Sequence, residues 1–146
     1  MDEIYHQALK LLRRRDYTIA QLREKLESKF GEVPKETIDI LKKKKFLDDA
    51  RYAGNFVLKR RDFHSSLVRE ELLTSGISAD IVEQALSGHD WPSLQHVVRS
   101  KMAAWKLQAP IHRKEANRLY RILARLGYPE DEIREELNSF INSNEI

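Results

Sequence analysis

Apolar residues recur at the spacing of an α-helix along nearly the whole chain of 146 residues, and this feature restricts the fold most. Ile4, Ala8, Leu11 and Leu12 follow the i, i+4, i+7, i+8 rule of a helix with one buried face. No segment alternates convincingly between apolar and polar residues, and neither of the dipeptides that mark tight β-hairpins, NG or DG, occurs. The sequence therefore predicts an all-α fold without a β-sheet.

Residues typical of helix ends divide this pattern into separate helices. Thr18 and Gln21 fit a capping box, in which each side chain accepts a hydrogen bond from the other residue's backbone N–H. Asp48 and Asp49 precede a predicted helix, and we expect them to cap its free N–H groups rather than to bind Mg²⁺. Three glycines are expected to end helices in a left-handed conformation that disfavours a Cβ atom: Gly31, Gly76 and Gly127.

The distance from each of these glycines to a later leucine repeats along the chain. Each glycine precedes a leucine by ten residues, and the leucines are Leu41, Leu86 and Leu137. A further helix is predicted ahead of each pair, at about 3–15, 48–62 and 92–107. The pattern predicts three tandem three-helix repeats, with bounds 1–45, 46–88 and 89–146, stacked into an elongated and curved array.

The composition bears on compartment and assembly. The chain has no cysteine, so disulfides and thiolate metal sites are excluded, as in proteins of a reducing compartment. The N-terminus lacks the apolar run of a signal peptide, and no stretch approaches the roughly 20 apolar residues that span a bilayer. We therefore expect a soluble, cytoplasmic protein without membrane contact, and a monomer.

The residues that usually carry catalysis or cofactors do not form recognisable patterns. The five histidines make no metal-binding spacing, and no phosphate-binding loop or nucleophile elbow occurs. Only five glycines are present, and three of them are assigned to helix ends. The sequence therefore predicts a protein that is not an enzyme and that needs no metal and no cofactor.

Basic side chains near the N-terminus are the first candidates for binding a partner. The net charge is only +3, but residues 1–45 carry 12 basic and 8 acidic side chains. Two basic runs end predicted helices, and the candidates from them are Arg13, Arg14, Arg15, Lys42 and Lys43. Cations are favourable at a helix C-terminus without any function, so a solvated surface is one interpretation. The other is that both runs converge on a phosphate backbone or an acidic protein groove.

A second basic group lies on one face of a single predicted helix. Its members are spaced by 4, 3 and 4 residues, and they are Lys114, Arg118, Arg121 and Arg125. The opposite face is apolar and consists of Leu119, Ile122, Leu123 and Leu126. This arrangement is typical of a docked helix that presents charge outward, either for a partner or for solubility alone.

Several of these stretches resemble the RecX family of regulatory proteins. The most specific is Phe46–Ala53, which reads FLDDARYA and continues to Phe56, Val57 and Arg60; Val68–Leu72 and Ser75–Ile77 follow it. Ala8–Leu26 is similar to the family's opening repeat, and Leu119–Leu137 is similar to its closing repeat. The resemblance covers nearly the whole chain. One departure is the segment 61–66, which lacks the basic, glycine-rich character that the family often has there.

The resemblance implies a modulator, usually an inhibitor, of the RecA recombinase. It implies binding in the groove of the RecA filament on single-stranded DNA. There the protein would oppose ATP hydrolysis, strand exchange and the repressor self-cleavage of the SOS response to DNA damage. Arg51 and Arg60 lie in the matching stretch and complete the candidate partner-binding residues.

Two other functions stay open at this point. A helical repeat protein that binds DNA without sequence specificity would also use the basic side chains, and its affinity would fall steeply with salt. A passive helical scaffold would need no contact with RecA or with DNA.

Overall fold

The structure is a computed structural model that describes residues 2–141. Across these residues the chain forms nine α-helices and no strand, apart from one isolated bridge between Ile111 and Ile141. The prediction of an all-α fold is confirmed. The helices are α1 (Glu3–Arg14), α2 (Ile19–Phe30), α3 (Lys35–Lys43), α4 (Asp49–Lys59), α5 (Ser65–Thr74), α6 (Ala79–Ser87), α7 (Leu94–Ala104), α8 (Arg113–Arg125) and α9 (Glu130–Asn138).

The helices predicted at 48–62 and 92–107 are both shorter than expected. Helix α4 ends at Lys59, because Phe63 donates a backbone hydrogen bond to Arg60 at 3.1 Å and the chain turns there. Helix α7 begins after Ser93, whose hydroxyl accepts a hydrogen bond from the N–H of His96 at 3.1 Å. Hydrogen bonds at the ends, and not the apolar spacing, set these boundaries.

The helices pack into two compact units. One comprises residues up to Lys59 together with Arg69–His89, and the other comprises Arg60–Val68 and the residues from Asp90 onward. In the first unit α1 packs against α2, and α4 packs against α6. In the second, α7 and α8 both pack against α9. Because residues 60–68 pack with the second unit, these units do not coincide with the bounds 1–45, 46–88 and 89–146. The division into three repeats and the curved array stay predictions.

Each unit has its own apolar interior. The buried cluster of the first is contributed mainly by α1, α2 and α3, and its members are Ala8, Leu11, Leu22, Leu26, Ile38, Leu41 and Leu47. The cluster of the second unites α7, α8 and α9, with Val97, Val98, Met102, Leu119, Leu123, Ile133 and Leu137 among its members. The leucines that follow the three glycines by ten residues are all buried.

The side chains of Thr18 and Asp48 cap the N-termini of α2 and α4, as predicted. The capping box at α2 is formed: the N–H of Gln21 donates to the hydroxyl of Thr18 at 3.0 Å, and the N–H of Thr18 donates to Oε1 of Gln21 at 3.1 Å. Oδ1 of Asp48 accepts from the N–H of Arg51 at 3.1 Å and so caps α4. Asp49 acts differently from the expectation, because its Oδ1 accepts from the N–H of Ile19 at 2.9 Å. Asp49 therefore caps α2, not the helix that it begins.

Within residues 2–141, five residues at helix ends adopt a positive φ angle. The three glycines predicted to be left-handed have φ values of 81° at Gly31, 92° at Gly76 and 97° at Gly127. The prediction is wrong for Gly31, whose ψ of −137° lies outside the left-handed helical region. The other two are lysines: Lys45, with φ of 65°, and Lys106, with φ of 60°. A residue with a Cβ atom is disfavoured in this conformation by roughly 1–2 kcal/mol. The two lysines nevertheless end α3 and α7 in the same way as glycines end other helices.

The start of α2 is docked onto the end of α5 within the first unit. The hydroxyl of Thr18 donates a hydrogen bond to the carbonyl of Ser75 at 2.7 Å. The next residue, Gly76, has no room for a side chain, because a Cβ atom there would lie 2.4 Å from the Cβ of Ala20. Gly76 is therefore required both by its backbone conformation and by this close approach.

The start of α5 is docked onto the end of α8 in the same manner, within the second unit. The N–H of His64 donates to the carbonyl of Leu126 at 2.9 Å. A Cβ atom on Gly127 would lie 2.7 Å from the Cβ of Leu67. We call these two arrangements the helix-end contacts. No such contact forms at Gly31, where a Cβ atom would meet no described heavy atom within 4 Å.

Tyr128 reinforces the contact between α5 and α8. Its hydroxyl donates to the carbonyl of Asp62 at 2.8 Å, and its ring meets the ring of His64 edge-on at 5.3 Å between centroids. Burial, together with the nearby charge of Asp62, raises the pKa of Tyr128 to about 12. The neutral hydroxyl is therefore the form that the folded protein favours.

We expect alkaline pH to destabilise the protein through Tyr128. Its pKa is about 12 in the folded protein and about 10 in an unfolded chain. The stabilisation is fully present below pH 10 and is lost as pH rises towards 12, at up to about 1.4 kcal/mol per pH unit. The measurement is urea unfolding between pH 8 and 11.5, with Tyr128→Phe as the control. The variant should lack this part of the slope, and equal slopes for both proteins would contradict the assignment.

Candidate partner-binding surfaces

The predicted basic face of α8 is present. Lys114, Arg118, Arg121 and Arg125 are all exposed on this helix. On the opposite side Leu119 and Leu123 are fully buried and Ile122 and Leu126 are half-buried, so the apolar face docks the helix into the second unit. The four cations project from one rigid element, because the helix that carries them is fixed along its other side.

Arg118 is held in place by the aromatic ring of Trp105. Its guanidinium carbon lies 4.0 Å from the centroid of the Trp105 ring. Stacking of this kind is a favourable cation–π contact that leaves the edge of the guanidinium free to donate hydrogen bonds. Trp105 is the capping residue directly after α7, and it is only half-buried. No linear spacing signals this pair, because its members lie on different helices.

The other three cations of this face are not held in ion pairs by the described residues. Within residues 2–141, no ion pair involves Lys114, Arg121 or Arg125. Three positive charges that are not engaged in ion pairs attract an acidic partner more strongly than paired charges do.

The three arginines that end α1 have different surroundings. Arg13 and Arg14 are exposed in the last turn of the helix. Arg15 has its guanidinium 4.3 Å from the centroid of the Tyr17 ring, and it donates to the carbonyl of Asp16 at 3.2 Å. Arg15 therefore contributes to the turn between α1 and α2, and Arg13 and Arg14 are better placed for a partner.

Some of the remaining candidates are exposed to solvent, and others make contacts within the protein. Lys42 and Lys43 are exposed in the last turn of α3. The guanidinium of Arg51 donates to the carbonyl of Lys45 at 2.8 Å, which fixes the turn after α3. The guanidinium carbon of Arg60 lies 5.8 Å from the Phe63 ring centroid. The candidates belong to two compact units: those of α1, α3 and α4 to the first, and Arg60 and the α8 face to the second.

Neither a metal site nor a membrane-spanning helix is found in the part of the chain that the structure describes. Across residues 2–141, no group of three His, Asp or Glu side chains is arranged to hold a metal ion. None of the helices in this part of the chain has the length and apolar character needed to cross a membrane.

Comparison with known proteins identifies the family. The chain is 32% identical over 143 residues to the regulatory protein RecX of Trichlorobacter lovleyi, covering 91% of this chain and 92% of that protein. It is 34% identical over 124 residues to a RecX protein of Thermus thermophilus, covering 84% and 81% of the two chains. The chain belongs to the RecX family. No protein-family model matches it.

A solved RecX structure has the same fold. The crystal structure of RecX from Lactobacillus salivarius superposes with a TM-score of 0.63, at 21% identity and over 94% of this chain and 96% of that one. The predicted resemblance to the RecX family is confirmed by the two relatives that are 32% and 34% identical to the chain. The relatives are named regulatory proteins, a name that mentions no catalysed reaction. It agrees with the prediction that the chain is not an enzyme.

The segment that departs from the RecX pattern has a structural use here. In residues 61–66, Nδ1 of His64 accepts a hydrogen bond from the N–H of Ser66 at 3.1 Å and so caps the start of α5. The carbonyl of Asp62 accepts from Tyr128, and its carboxylate lies 3.8 Å from the ammonium of Lys101. In place of a basic, glycine-rich loop, this RecX protein has a capped and internally bonded turn.

Proposed function

We propose that this protein binds the RecA nucleoprotein filament and modulates, usually inhibits, its ATPase, strand-exchange and coprotease activities. Membership of the RecX family supports this proposal most directly. The proposed setting is the cytoplasm, during the control of recombination, DNA repair and the SOS response. The protein itself acts as a monomer and catalyses no step.

The basic face of α8 is the surface that we assign to the filament first. It carries three unpaired cations and a fourth that is stacked on Trp105. A filament made of single-stranded DNA and protein presents many phosphates, and it attracts such a face at long range. Arg13, Arg14, Lys42 and Lys43 form a second exposed basic group in the other compact unit. Several modest contacts made at once raise the overall affinity through effective concentration.

The test is DNA-dependent ATP hydrolysis by RecA, measured while the protein is added from substoichiometric to equal amounts. Slower hydrolysis supports the proposal. Unchanged hydrolysis, together with binding to bare DNA whose affinity falls steeply with salt, would instead support a DNA-binding protein without sequence specificity.

We expect reversal of two charges on α8 to weaken this inhibition. The double variant Arg118→Glu, Arg121→Glu should need at least about tenfold more protein for half-maximal inhibition, which corresponds to about 1.4 kcal/mol. Far-UV circular dichroism should be unchanged, because both side chains are exposed. The matched control is Arg23→Glu, Lys25→Glu, which makes the same charge change on exposed positions of α2. If the control weakens inhibition as much, the effect is due to net charge and the α8 face is not the contact.

A further inference from the structure

A groove between α1 and α3 exposes apolar surface beside two cations. It is lined by Tyr5, His6, Ile40, Lys43 and Lys44 and encloses about 660 Å³. Sites for ligands of moderate size have volumes of roughly 300–1,000 Å³. Tyr5 and Ile40 are only half-buried, so their apolar surface stays in contact with solvent. Apolar surface that is framed by polar residues is typical of a contact with a partner.

The charges around this groove have one sign. Lys43 and Lys44 are exposed at the end of α3. The ammonium of Lys44 lies 5.6 Å from the centroid of the Tyr5 ring and 3.3 Å from its hydroxyl oxygen, so one cation is held at the edge of the aromatic surface. No acidic side chain among the described residues lines the groove. An anionic ligand would therefore meet two lysines, and no acidic side chain, among the residues that line the groove.

A second groove on α1 is also lined by lysines and an aromatic ring. It shares His6 with the first groove, and it adds Lys10, Lys29 and Phe30. The ammonium of Lys29 lies 5.4 Å from the centroid of the Phe30 ring, which repeats the pairing of a lysine with a half-buried aromatic group. Glu3 is the one acid in this lining, against two lysines. The two grooves together offer a longer ligand several cations along one side of the first unit.

We infer that the groove between α1 and α3 binds a short acidic peptide segment with an aromatic anchor. The anchor would pack between Tyr5 and Ile40, where ring and aliphatic surfaces are available. Carboxylates on either side of the anchor would pair with Lys43 and Lys44, and a longer segment would reach Lys10 and Lys29. This inference goes beyond the proposed function, because it holds whether or not the whole protein binds the RecA filament.

The chemistry of the lining favours a peptide over a nucleic acid. A phosphodiester backbone carries a charge at every residue, and some of those charges would lie over Tyr5 and Ile40 and lose water without gaining a partner. A peptide can place an uncharged side chain there and keep its charges for the lysines. An apolar floor with a cationic rim therefore matches alternating apolar and acidic groups.

The test uses two fluorescein-labelled peptides of sequence DEDFEDE and DEDSEDE, titrated with the whole protein and followed by fluorescence anisotropy. We expect the peptide with phenylalanine to bind at least tenfold more tightly than the peptide with serine. We also expect it to shift the NMR signals of the Ile40 methyl groups. Equal affinities, or no binding of either peptide, would overturn the inference.

Variants of the groove separate a specific site from general charge attraction. The double variant Lys43→Glu, Lys44→Glu should bind DEDFEDE at least tenfold more weakly. The matched control Lys25→Glu, Lys35→Glu has the same net charge, alters exposed lysines outside both grooves, and should change the affinity less than twofold. Equal losses in both variants would overturn the inference. So would displacement of the peptide by a 15-nucleotide oligo-dT that binds more tightly with the same dependence on Lys43 and Lys44, because the groove would then be a nucleic-acid site.

Discussion

Replacing Gly76 by alanine should destabilise the protein by about 3 kcal/mol or more. The positive φ of 92° disfavours a Cβ atom, at roughly 1–2 kcal/mol. The new atom would also lie 2.4 Å from the Cβ of Ala20, so α2 or α5 must move, and such overpacking costs typically about 1–3 kcal/mol. The free energy of unfolding from urea titrations measures the sum.

Gly31→Ala is a comparison variant in which no close contact is involved. Gly31 has a φ of 81° and a ψ of −137°, which lies outside the left-handed helical region, and a Cβ atom there meets no described heavy atom within 4 Å. Its loss therefore comes from the backbone conformation alone, which we expect to cost about 1–3 kcal/mol. For Gly76→Ala, a loss no larger than the roughly 1–2 kcal/mol of the backbone conformation would show that the contact between Gly76 and Ala20 has no energetic weight.

A compensating change at Ala20 tests the contact directly. In the double variant Ala20→Gly, Gly76→Ala, the clashing methyl group of residue 20 is absent. This variant should be more stable than Gly76→Ala alone, although Ala20→Gly by itself lowers stability, by about 0.5–1 kcal/mol in a helix. If the loss of unfolding free energy in the double variant is smaller than the sum of the two single losses, the difference is the coupling energy between residues 20 and 76. If the losses simply add, the two sites are independent.

Thr18→Val should lower the free energy of unfolding by about 3 kcal/mol, the second large effect. Thr18 is fully buried, and its hydroxyl both donates to the carbonyl of Ser75 and accepts from the N–H of Gln21. Valine keeps the shape but removes both bonds. It costs the cap, about 0.5–2 kcal/mol, and leaves buried polar groups without a partner, at about 1–3 kcal/mol.

Thr18→Ser is the control that isolates the hydroxyl. Serine keeps both hydrogen bonds and loses only a buried methyl group, which we expect to cost about 1 kcal/mol. Urea unfolding of the three proteins should therefore rank the wild type first, serine second and valine clearly last. If the valine variant were as stable as the serine variant, the hydrogen bond between Thr18 and Ser75 would not stabilise the docking of α2.

The sequence was sufficient to predict features that depend on nearby residues. The all-α fold followed from apolar spacing, and the capping box followed from Thr18 and Gln21, which are three residues apart. The positive φ angles of Gly31, Gly76 and Gly127 followed from the positions of these glycines at the ends of predicted helices. Each of these signals lies within one or two helical turns, where local geometry decides the outcome.

Features that depend on distant residues could not be predicted in this way. Asp49 caps α2, which is 30 residues earlier in the chain, and the Thr18 hydroxyl bonds to Ser75, 57 residues later. Arg118 and Trp105 meet only because α7 and α8 share an apolar interior. The positive φ angles of Lys45 and Lys106 also went unpredicted, since lysine carries no preference for that conformation. In each case tertiary packing overrides or adds to what the local sequence specifies.

The helix-end contacts have a consequence for how the chain is made. In both, the start of an earlier helix rests on the end of a later one: α2 on α5, and α5 on α8. During synthesis on the ribosome, the Thr18 hydroxyl therefore lacks its carbonyl acceptor until Ser75 has been made. The N–H of His64 likewise lacks its acceptor until Leu126 has been made. Formation of contacts so far apart in sequence is slow compared with the formation of single helices. We expect the start of α2 to stay exchangeable with solvent until Ser75 has left the ribosome, and the start of α5 until Leu126 has done so.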